Sequence, residues 1–242
     1  MRRASWTAGS GLGPSGAVFL VRCSPPSYGI GGAFFFGAHV PERLAVFIDY
    51  QNVHLTAHNL FAPYGARPEH TLVHPLLVAE RIAEKRRIES DLVSVRVFRG
   101  RPNPAHHQLA TAANDAQTAA WQRDPRVVVR RRDLNYRGWP DHPPREKGVD
   151  VALAINLVES AMLSEYEAAV VFTGDTDLLP AVEMAFRRTQ PRIEVACWVG
   201  AKPLWFREGL AQEPRRYLPY CHFLNEADFE AVRDQTHYLE GR

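Results

Sequence analysis

Four aspartates lie in three short segments of the chain whose composition favours a shared chemical role. They are Asp49, Asp150, Asp175 and Asp177. Each comes at or just after an apolar run that predicts a buried strand, or at the predicted start of a helix. An open parallel sheet gathers its active-site side chains at such positions. Carboxylates that meet there repel one another unless a cation lies between them. The pattern therefore predicts a divalent metal such as Mg²⁺, which carboxylates commonly hold for phosphate chemistry.

The four aspartates differ in how well a purely structural role would explain them. Asp49 directly follows one apolar run, and Asp175 follows a second run in the same way. Asp150 and Asp177 each precede a helical pattern, so both also suit the N-cap position, where a side-chain oxygen accepts a backbone N–H. Asp49 and Asp175 are accordingly the firmer pair of predicted metal ligands.

Polar and basic neighbours of the aspartates are predicted to contact the substrate. Asn52 either holds a water or phosphate near the metal or caps the following helix. Thr173 offers its hydroxyl to a phosphate or to a carboxylate, or simply ends its strand. Lys147 either pairs with a phosphate or balances the acidic cluster, and Gly148 beside it permits a close approach.

The middle of the chain is rich in arginine, although the net charge of the whole chain is only +2. A basic surface around an acidic site suits a polyanionic substrate, so we include Arg132 and Arg145 among the predicted substrate-binding residues. Tyr136 and Trp139, which are interleaved with arginines, either stack on unpaired bases or anchor their long loop by hydrophobic contact. A solvated basic face is the alternative explanation for the arginines.

The motifs of several other enzyme classes are missing from the sequence. There is no GxSxG segment, no GxxxxGK[ST] phosphate loop and no GxGxxG after the first predicted strand. The three cysteines, Cys23, Cys197 and Cys221, are far apart and lack zinc-site spacing. Neither a disulfide scaffold nor a structural zinc is expected, and a reducing cytoplasm is the predicted location.

Residues 1–40 differ in composition from the rest of the chain, since they are rich in Gly, Ser and Pro. Their apolar runs, 17–21 and 33–36, are shorter than the roughly 7–15 residues of a signal-peptide core and the roughly 20 residues that span a bilayer. We expect a disordered leader or a translation start assigned too far upstream, with a weak export signal as the alternative. Residues 41–242 are expected to form one domain with a C-terminal extension.

Strands and helices alternate from Leu44 onward, which predicts an α/β fold with a central, mostly parallel sheet of about five strands. The unbroken apolar run 44–48 is typical of a central strand buried on both faces. The helix from Asp150 shows an apolar period through Val151, Ala154, Ile155 and Val158. The predicted strands are 44–48, 92–98, 126–130, 168–172 and 193–199. The main predicted helices are 75–87, 104–121, 150–163 and 178–188, and a short helix is expected at Trp205 and Phe206. The tail closes with the segment 220–224 and a helix that begins at Glu226 with acidic residues.

Three motifs in order resemble the NYN domain family, a PIN-like group of metal-dependent nucleases, and in particular its LabA-like branch. They are FIDYQN at 47–52, KGVDV at 147–151 and TGDTD at 173–177. The resemblance covers roughly 44–199. It implies a PIN-like three-layer α/β sandwich, a Mg²⁺ or Mn²⁺ held by Asp49, Asp150, Asp175 and Asp177, Asn52 in the asparagine position of the first motif, and RNA cleavage. Tyr50 and Gln51 depart from the small residue common after the first aspartate, and the loop 134–148 is not explained by the family.

Together the residues and the resemblance predict a metal-dependent endoribonuclease that hydrolyses phosphodiester bonds in single-stranded RNA. Asp49 and Asp175 would be direct ligands, while Asp150 and Asp177 would complete the shell or orient the attacking water. The alternatives are a non-catalytic RNA-binding regulatory module on the same fold, a DNA or flap-type nuclease, and a phosphatase. RNA is the expected partner, a homodimer is a further expectation, and no membrane is expected.

Overall fold

A six-stranded, all-parallel sheet lies between two layers of helices in the computed structural model, which describes residues 40–204 and 218–238. The strands are β1 (Glu42–Asp49), β2 (Ser90–Arg101), β3 (Val127–Asp133), β4 (Ala168–Phe172), β5 (Arg192–Trp198) and β6 (Cys221–Leu224). The helices are α1 (Tyr50–Phe61), α2 (Pro75–Lys85), α3 (Gln108–Trp121), α4 (Val149–Met162), α5 (Leu179–Arg188) and α6 (Glu226–Ala231), with 3₁₀ turns at Pro68–His70 and Thr176–Leu178.

The strand order, β3-β2-β1-β4-β5-β6, places the first strand in the middle of the sheet. Side chains of β1 alternate between two cores, because Leu44, Val46 and Ile48 pack on one face while Ala45 and Phe47 pack on the other. All five are fully buried, which confirms the prediction of a central strand. Strands β2 and β3 lie on one side of β1, and strands β4, β5 and β6 follow one another on its other side. The crevice beyond β1 and β4 is therefore the topological switch point, where such sheets bind ligands.

The α/β class is confirmed, and several predicted details are corrected. The sheet has six strands rather than about five, because 221–224 pairs in parallel with β5. Helix α3 begins at Gln108 and not at Pro104, since Asn103 turns the chain by accepting the Ala105 N–H at 2.9 Å. The expected leader up to residue 39 and the short helix expected at Trp205 and Phe206 lie outside the described residues.

The buried face of α4 is not the one that its strongest apolar period indicates. Val149, Leu153 and Leu157 are buried, whereas Val151 and Ile155 are 53% and 61% exposed. Apolar residues occur on nearly every side of this helix, so periodicity alone does not identify its inner face. No helix among the described residues is long and apolar enough to cross a membrane.

The amino edge of the sheet carries a buried network of charges in which each member has a partner. The Arg86 guanidinium, 1% exposed, donates to both oxygens of Glu194 at 3.0 and 2.9 Å and to Glu42 at 2.9 Å. The His222 Nε2 lies 2.7 Å from Glu194 Oε2. Burial alone would raise the pKa of Glu194, but the hydrogen bonds from His222 and Arg86 lower it from 4.5 to about 2. The network thus holds α2, β1, β5 and β6 together.

We expect Glu194→Gln to lower the free energy of unfolding at neutral pH by on the order of 3 kcal/mol, because it leaves the buried Arg86 with a weaker partner. The depressed pKa of Glu194 stabilises the fold above pH 4.5, and this contribution is lost as the pH falls toward 2. Urea unfolding between pH 7 and pH 2 measures both effects, and the variant should lose less stability on acidification than the parent chain.

Glu167→Gln is the matched control for Glu194→Gln. Glu167 pairs with Arg43 at 2.7 Å, but both side chains are 49% exposed, so the change should cost less than about 1 kcal/mol. Equal losses in the two variants would contradict a structural role for the buried network.

Candidate active site

Asp49 and Thr173 meet at the switch point because the strands that carry them are paired in register. Ile48, the last residue but one of β1, lies opposite Phe172 at the end of β4, so Asp49 and Thr173, which follow these two residues, enter the same crevice. The Thr173 hydroxyl donates to Asp49 Oδ2 at 2.9 Å and accepts the Asp175 N–H at 3.0 Å. Of the roles predicted for Thr173, the structure shows the hydrogen bond to a carboxylate.

Asn52 forms a second link across the crevice and does not cap a helix. Helix α1 begins at Tyr50, directly after β1, so Asn52 lies in its first turn. The Asn52 Oδ1 accepts the Gly174 N–H at 2.8 Å, which ties α1 to the loop after β4. The N-cap alternative is therefore wrong, because the helix already begins at Tyr50. Asn52 fixes the position of the loop that carries Asp175.

The carboxylate of Asp49 is held in an unfavourable electrostatic environment. Asp49 is 8% exposed. Burial raises its pKa to about 6 and the charges of Asp175 and Asp150 add to the shift, whereas hydrogen bonds from the Thr173 hydroxyl and the Asn52 N–H oppose it. Three of the four predicted aspartates are thus close enough to interact. A buried acid surrounded by other acids is a typical feature of functional sites.

Asp150 and Asp177 do not occupy the N-cap positions that the sequence offered for them, whereas Asp175 does cap a turn. Asp150 lies in the first turn of α4, and the N-cap is Gly148, whose φ of 72° favours glycine. Asp175 is the N-cap of the 3₁₀ turn, and its Oδ1 accepts the Asp177 N–H at 3.0 Å. Asp177 lies inside this turn and is exposed. Neither Asp150 nor Asp177 is a cap, so that explanation of both residues is wrong.

Glu146 is a fifth carboxylate at the site, and the sequence reasoning missed it. Its Oε1 accepts the Gly100 N–H at the end of β2, and the Gln51 amide, oriented to donate, lies 2.8 Å from the same oxygen. Burial raises the pKa of Glu146, and the charges of Asp49 and Asp150 contribute. The one feature of the sequence that could have pointed to Glu146 is its position directly before Lys147, the first residue of the second motif.

Basic side chains line a cleft of about 660 Å³ beside the start of α4, which we call the basic cleft. Arg131, Arg132 and Lys147 contribute to its walls. Arg132 lies against Gly148, since a Cβ on that glycine would come 3.4 Å from Arg132 Nε. Two of the predicted substrate-binding residues, Arg132 and Lys147, are therefore brought together. Arg145 is exposed on the neighbouring loop and pairs with Asn135 through the backbone instead.

The aromatic residues of the loop 134–148 mainly anchor it to the rest of the fold. The Tyr136 hydroxyl accepts the Asn103 N–H at 3.0 Å and lies 2.8 Å from His107 Nδ1. The Tyr136 ring stacks on His106 at 4.5 Å, and the Trp139 ring meets His107 edge-on at 4.5 Å. These contacts favour hydrophobic anchoring over base stacking for Tyr136, while Trp139 stays 37% exposed.

A divalent cation matches this site in donor chemistry and charge. Carboxylate oxygens are the ligands that Mg²⁺ and Mn²⁺ prefer, and the repulsion among Asp49, Asp150 and Asp175 would be relieved by a positive ion. Within 40–204 and 218–238, however, no three His, Cys, Asp or Glu side chains form a ready-made ligand group.

Comparison with known proteins gives one family and one similar structure. The model of the NYN domain matches residues 43–203. A solved structure from Vibrio parahaemolyticus RIMD 2210633, described as a protein of unknown function, is 15% identical with a TM-score of 0.45, and the match covers 78% of this chain and 94% of that one. No curated protein matches the chain.

Replacing Asp49 by Asn should stabilise the fold. The substitution removes a buried negative charge from beside two other carboxylates while keeping an oxygen that accepts from Thr173. We expect the free energy of unfolding at pH 7 to rise by on the order of 2 kcal/mol, as measured by urea unfolding without added metal. Asp141→Asn, at an exposed position of the loop 134–148, should change nothing. A loss of stability in Asp49→Asn would show that the carboxylate is structural.

Replacing Thr173 by Val should have the opposite effect on stability. It removes the hydroxyl that serves both Asp49 and Asp175, so a buried carboxylate loses a donor and the expected cost is about 1–3 kcal/mol. Thr176→Val is the matched control in the same loop, because Thr176 is exposed. Thermal or urea unfolding of the pair measures the difference, and equal values would contradict the described hydrogen bonds.

Proposed function

Because the chain belongs to the NYN domain family, whose model matches 43–203, we propose that it is a metal-dependent endonuclease that hydrolyses single-stranded RNA. The observation that supports this most strongly is the buried Asp49 carboxylate at the switch point, with Asp150 and Asp175 near enough to raise its pKa. A fold gains no stability from such an arrangement, so a ligand-binding role explains it better than packing does.

Asp49 and Asp175 would hold the divalent ion directly, and Asp150 and Asp177 would complete its surroundings or orient a water. Mg²⁺ or Mn²⁺ bound there would polarise a phosphoryl oxygen and lower the pKa of a coordinated water. Asp177 is exposed, which suits contact through water better than direct ligation. This assignment keeps the roles predicted from the sequence and adds Glu146 as a nearby carboxylate held by Gly100 and Gln51.

The other residues of the crevice position these carboxylates and bind the substrate. Thr173 orients Asp49 through its hydroxyl, and Asn52 holds the loop that carries Asp175. Lys147 and Arg132 in the basic cleft would pair with phosphate oxygens of the RNA backbone on the α4 side of the site. Arg145, exposed on the adjacent loop, would contact a more distant phosphate.

A non-catalytic RNA-binding module is the second function to consider. One observation favours it, namely that no three acidic, histidine or cysteine side chains in the described ranges form a ready-made metal site. The basic cleft would serve such a module equally well. Membership of the LabA-like branch, a homodimer and a cytoplasmic location stay predictions from the sequence, and each is compatible with either function.

Cleavage of labelled single-stranded RNA, single-stranded DNA, a DNA flap and p-nitrophenyl phosphate, each with Mg²⁺ or Mn²⁺, separates the functions. We expect RNA cleavage that EDTA abolishes. Asp49→Asn should reduce the rate by more than ~10³-fold because it removes a direct ligand, with RNA binding retained. Asp177→Asn should reduce it by about 10–100-fold, as expected of a residue that acts through water.

Asp141→Asn is the control for these variants, because Asp141 is exposed and lies outside the acidic crevice. Tight RNA binding with no cleavage in any metal would support the module instead. Faster cleavage of DNA or of the small ester would replace the assigned substrate, and an undiminished rate in Asp49→Asn would contradict the assigned site.

A further inference from the structure

A second cleft has Glu146 in its wall and adjoins the acidic crevice. It has a volume of about 500 Å³ and lies between α1, α3 and the end of β2, so we call it the α1–α3 cleft. Its apolar walls include Leu55, Leu72, Ala113 and Leu134, and its polar groups include Arg99, Gln117 and Glu146. This size and this mixture of apolar walls with a few polar groups are typical of small-ligand sites.

Arg99 presents an incompletely satisfied guanidinium to the α1–α3 cleft. Its guanidinium carbon lies 4.7 Å from the centre of the Tyr50 ring and 5.1 Å from that of Trp121, which fixes its orientation. Its side chain donates one hydrogen bond within the described ranges, to Gln117 Oε1 at 2.9 Å, and it forms no ion pair there. Burial lowers the pKa of Arg99. A guanidinium has five donors, so several remain for a ligand.

Glu146 supplies an acceptor to the same cleft and connects it to the acidic crevice. Glu146 lines the α1–α3 cleft. Burial and the charges of Asp49 and Asp150 raise its pKa, while the Gly100 N–H and the charge of Arg99 lower it, so the carboxylate interacts with groups of both sites. The α1–α3 cleft therefore offers a rigid donor fork and a carboxylate acceptor. Guanine has the complementary groups, with O6 and N7 as acceptors and an exocyclic amino group as a donor.

We propose that the α1–α3 cleft binds a guanine base of the RNA strand next to the phosphate cleaved in the acidic crevice. The position of this base relative to the cleaved bond rests on the proposed function. Arg99 would donate to O6 and N7, which is a common specific contact of arginine with a base. Adenine would be bound more weakly, because its amino group would face the Arg99 donors in place of O6. Pyrimidines lack N7 and would leave part of the fork unpaired.

Titration calorimetry of the full chain with 5′-GMP, 5′-AMP, 5′-CMP and 5′-UMP in EDTA tests the proposal without cleavage. All four carry the same phosphate, so differences report the base. We expect GMP to bind about 5- to 150-fold more tightly than the others, which is the discrimination of one bidentate contact. Arg99→Lys keeps the positive charge but loses the two parallel N–H donors of the guanidinium, so it should remove most of the preference for GMP.

A surface variant keeps the test valid if Arg99→Lys fails to fold. Ala110 is exposed at the rim of the cleft, so Ala110→Trp should block GMP binding without changing the melting temperature. Ala119→Trp, at another exposed position of α3 that does not line the cleft, is the matched control and should bind GMP normally.

Equal binding of the four nucleotides, or GMP binding that survives Ala110→Trp, would overturn the guanine site. The result of this binding test can be distinguished from the result of the RNA-cleavage test of the proposed function. A GMP preference in a chain that cleaves no RNA would support the cleft and refute the nuclease, whereas RNA cleavage without any GMP preference would support the nuclease and refute the cleft.

Discussion

The burial of the Asp49 carboxylate between the ends of β1 and β4 is the constraint on which the rest of the site depends. Desolvation opposes the charged form of this group, and two neighbouring carboxylates oppose it further. Hydrogen bonds from the Thr173 hydroxyl and the Asn52 backbone N–H offset part of this cost, and the Asn52 side chain holds the loop after β4 in place by accepting the Gly174 N–H. The strand order brings these groups together, since β1 and β4 are paired at the point where the sheet reverses its winding.

Among the described residues, buried charges are paired with opposite charges at the amino edge of the sheet but not at its carboxyl edge. At the amino edge, Arg86, Glu194 and His222 are buried but fully paired, and they join elements that are far apart in sequence. At the carboxyl edge, Asp49 is buried among charges of its own sign, and the half-buried Arg99 forms no ion pair within residues 40–204 and 218–238. Paired charge contributes to folding, whereas unpaired charge is tolerated where a ligand compensates for it. The contrast supports a functional carboxyl edge between two clefts.

Local patterns in the sequence were sufficient for the elements that form the centre of the site. The apolar runs identified β1 and β4, and the structure places Asp49 at the last position of β1, with Thr173 and Asp175 just after β4. The order of the strands and the pairing of Ile48 with Phe172 depend on contacts between distant segments, which single-sequence patterns do not contain. The spacing of three motifs compensated for this, because it carried the resemblance to the family.

The features that the sequence did not predict also depend mainly on contacts between segments that are distant in the chain. The sequence left open whether Asn52 caps a helix or lies near a metal, and its observed contact is with the Gly174 N–H, which is 122 positions away. Glu146 belongs to the site because Gly100 and Gln51 hold it there, and neither residue is near it in sequence. The segment 220–224 stood out in the sequence but was not counted as a sixth strand, because β6 is only four residues long and follows a segment without a clear pattern.

Electron paramagnetic resonance of Mn²⁺ titrated into the chain tests the central claim most directly, because it counts bound ions without a substrate. The acidic crevice predicts saturable binding of one or two Mn²⁺ per chain, competition by Mg²⁺, and loss of this binding when Asp49 is replaced by Asn. An absence of saturable binding at millimolar Mn²⁺, or binding unaltered by that substitution, would contradict the account.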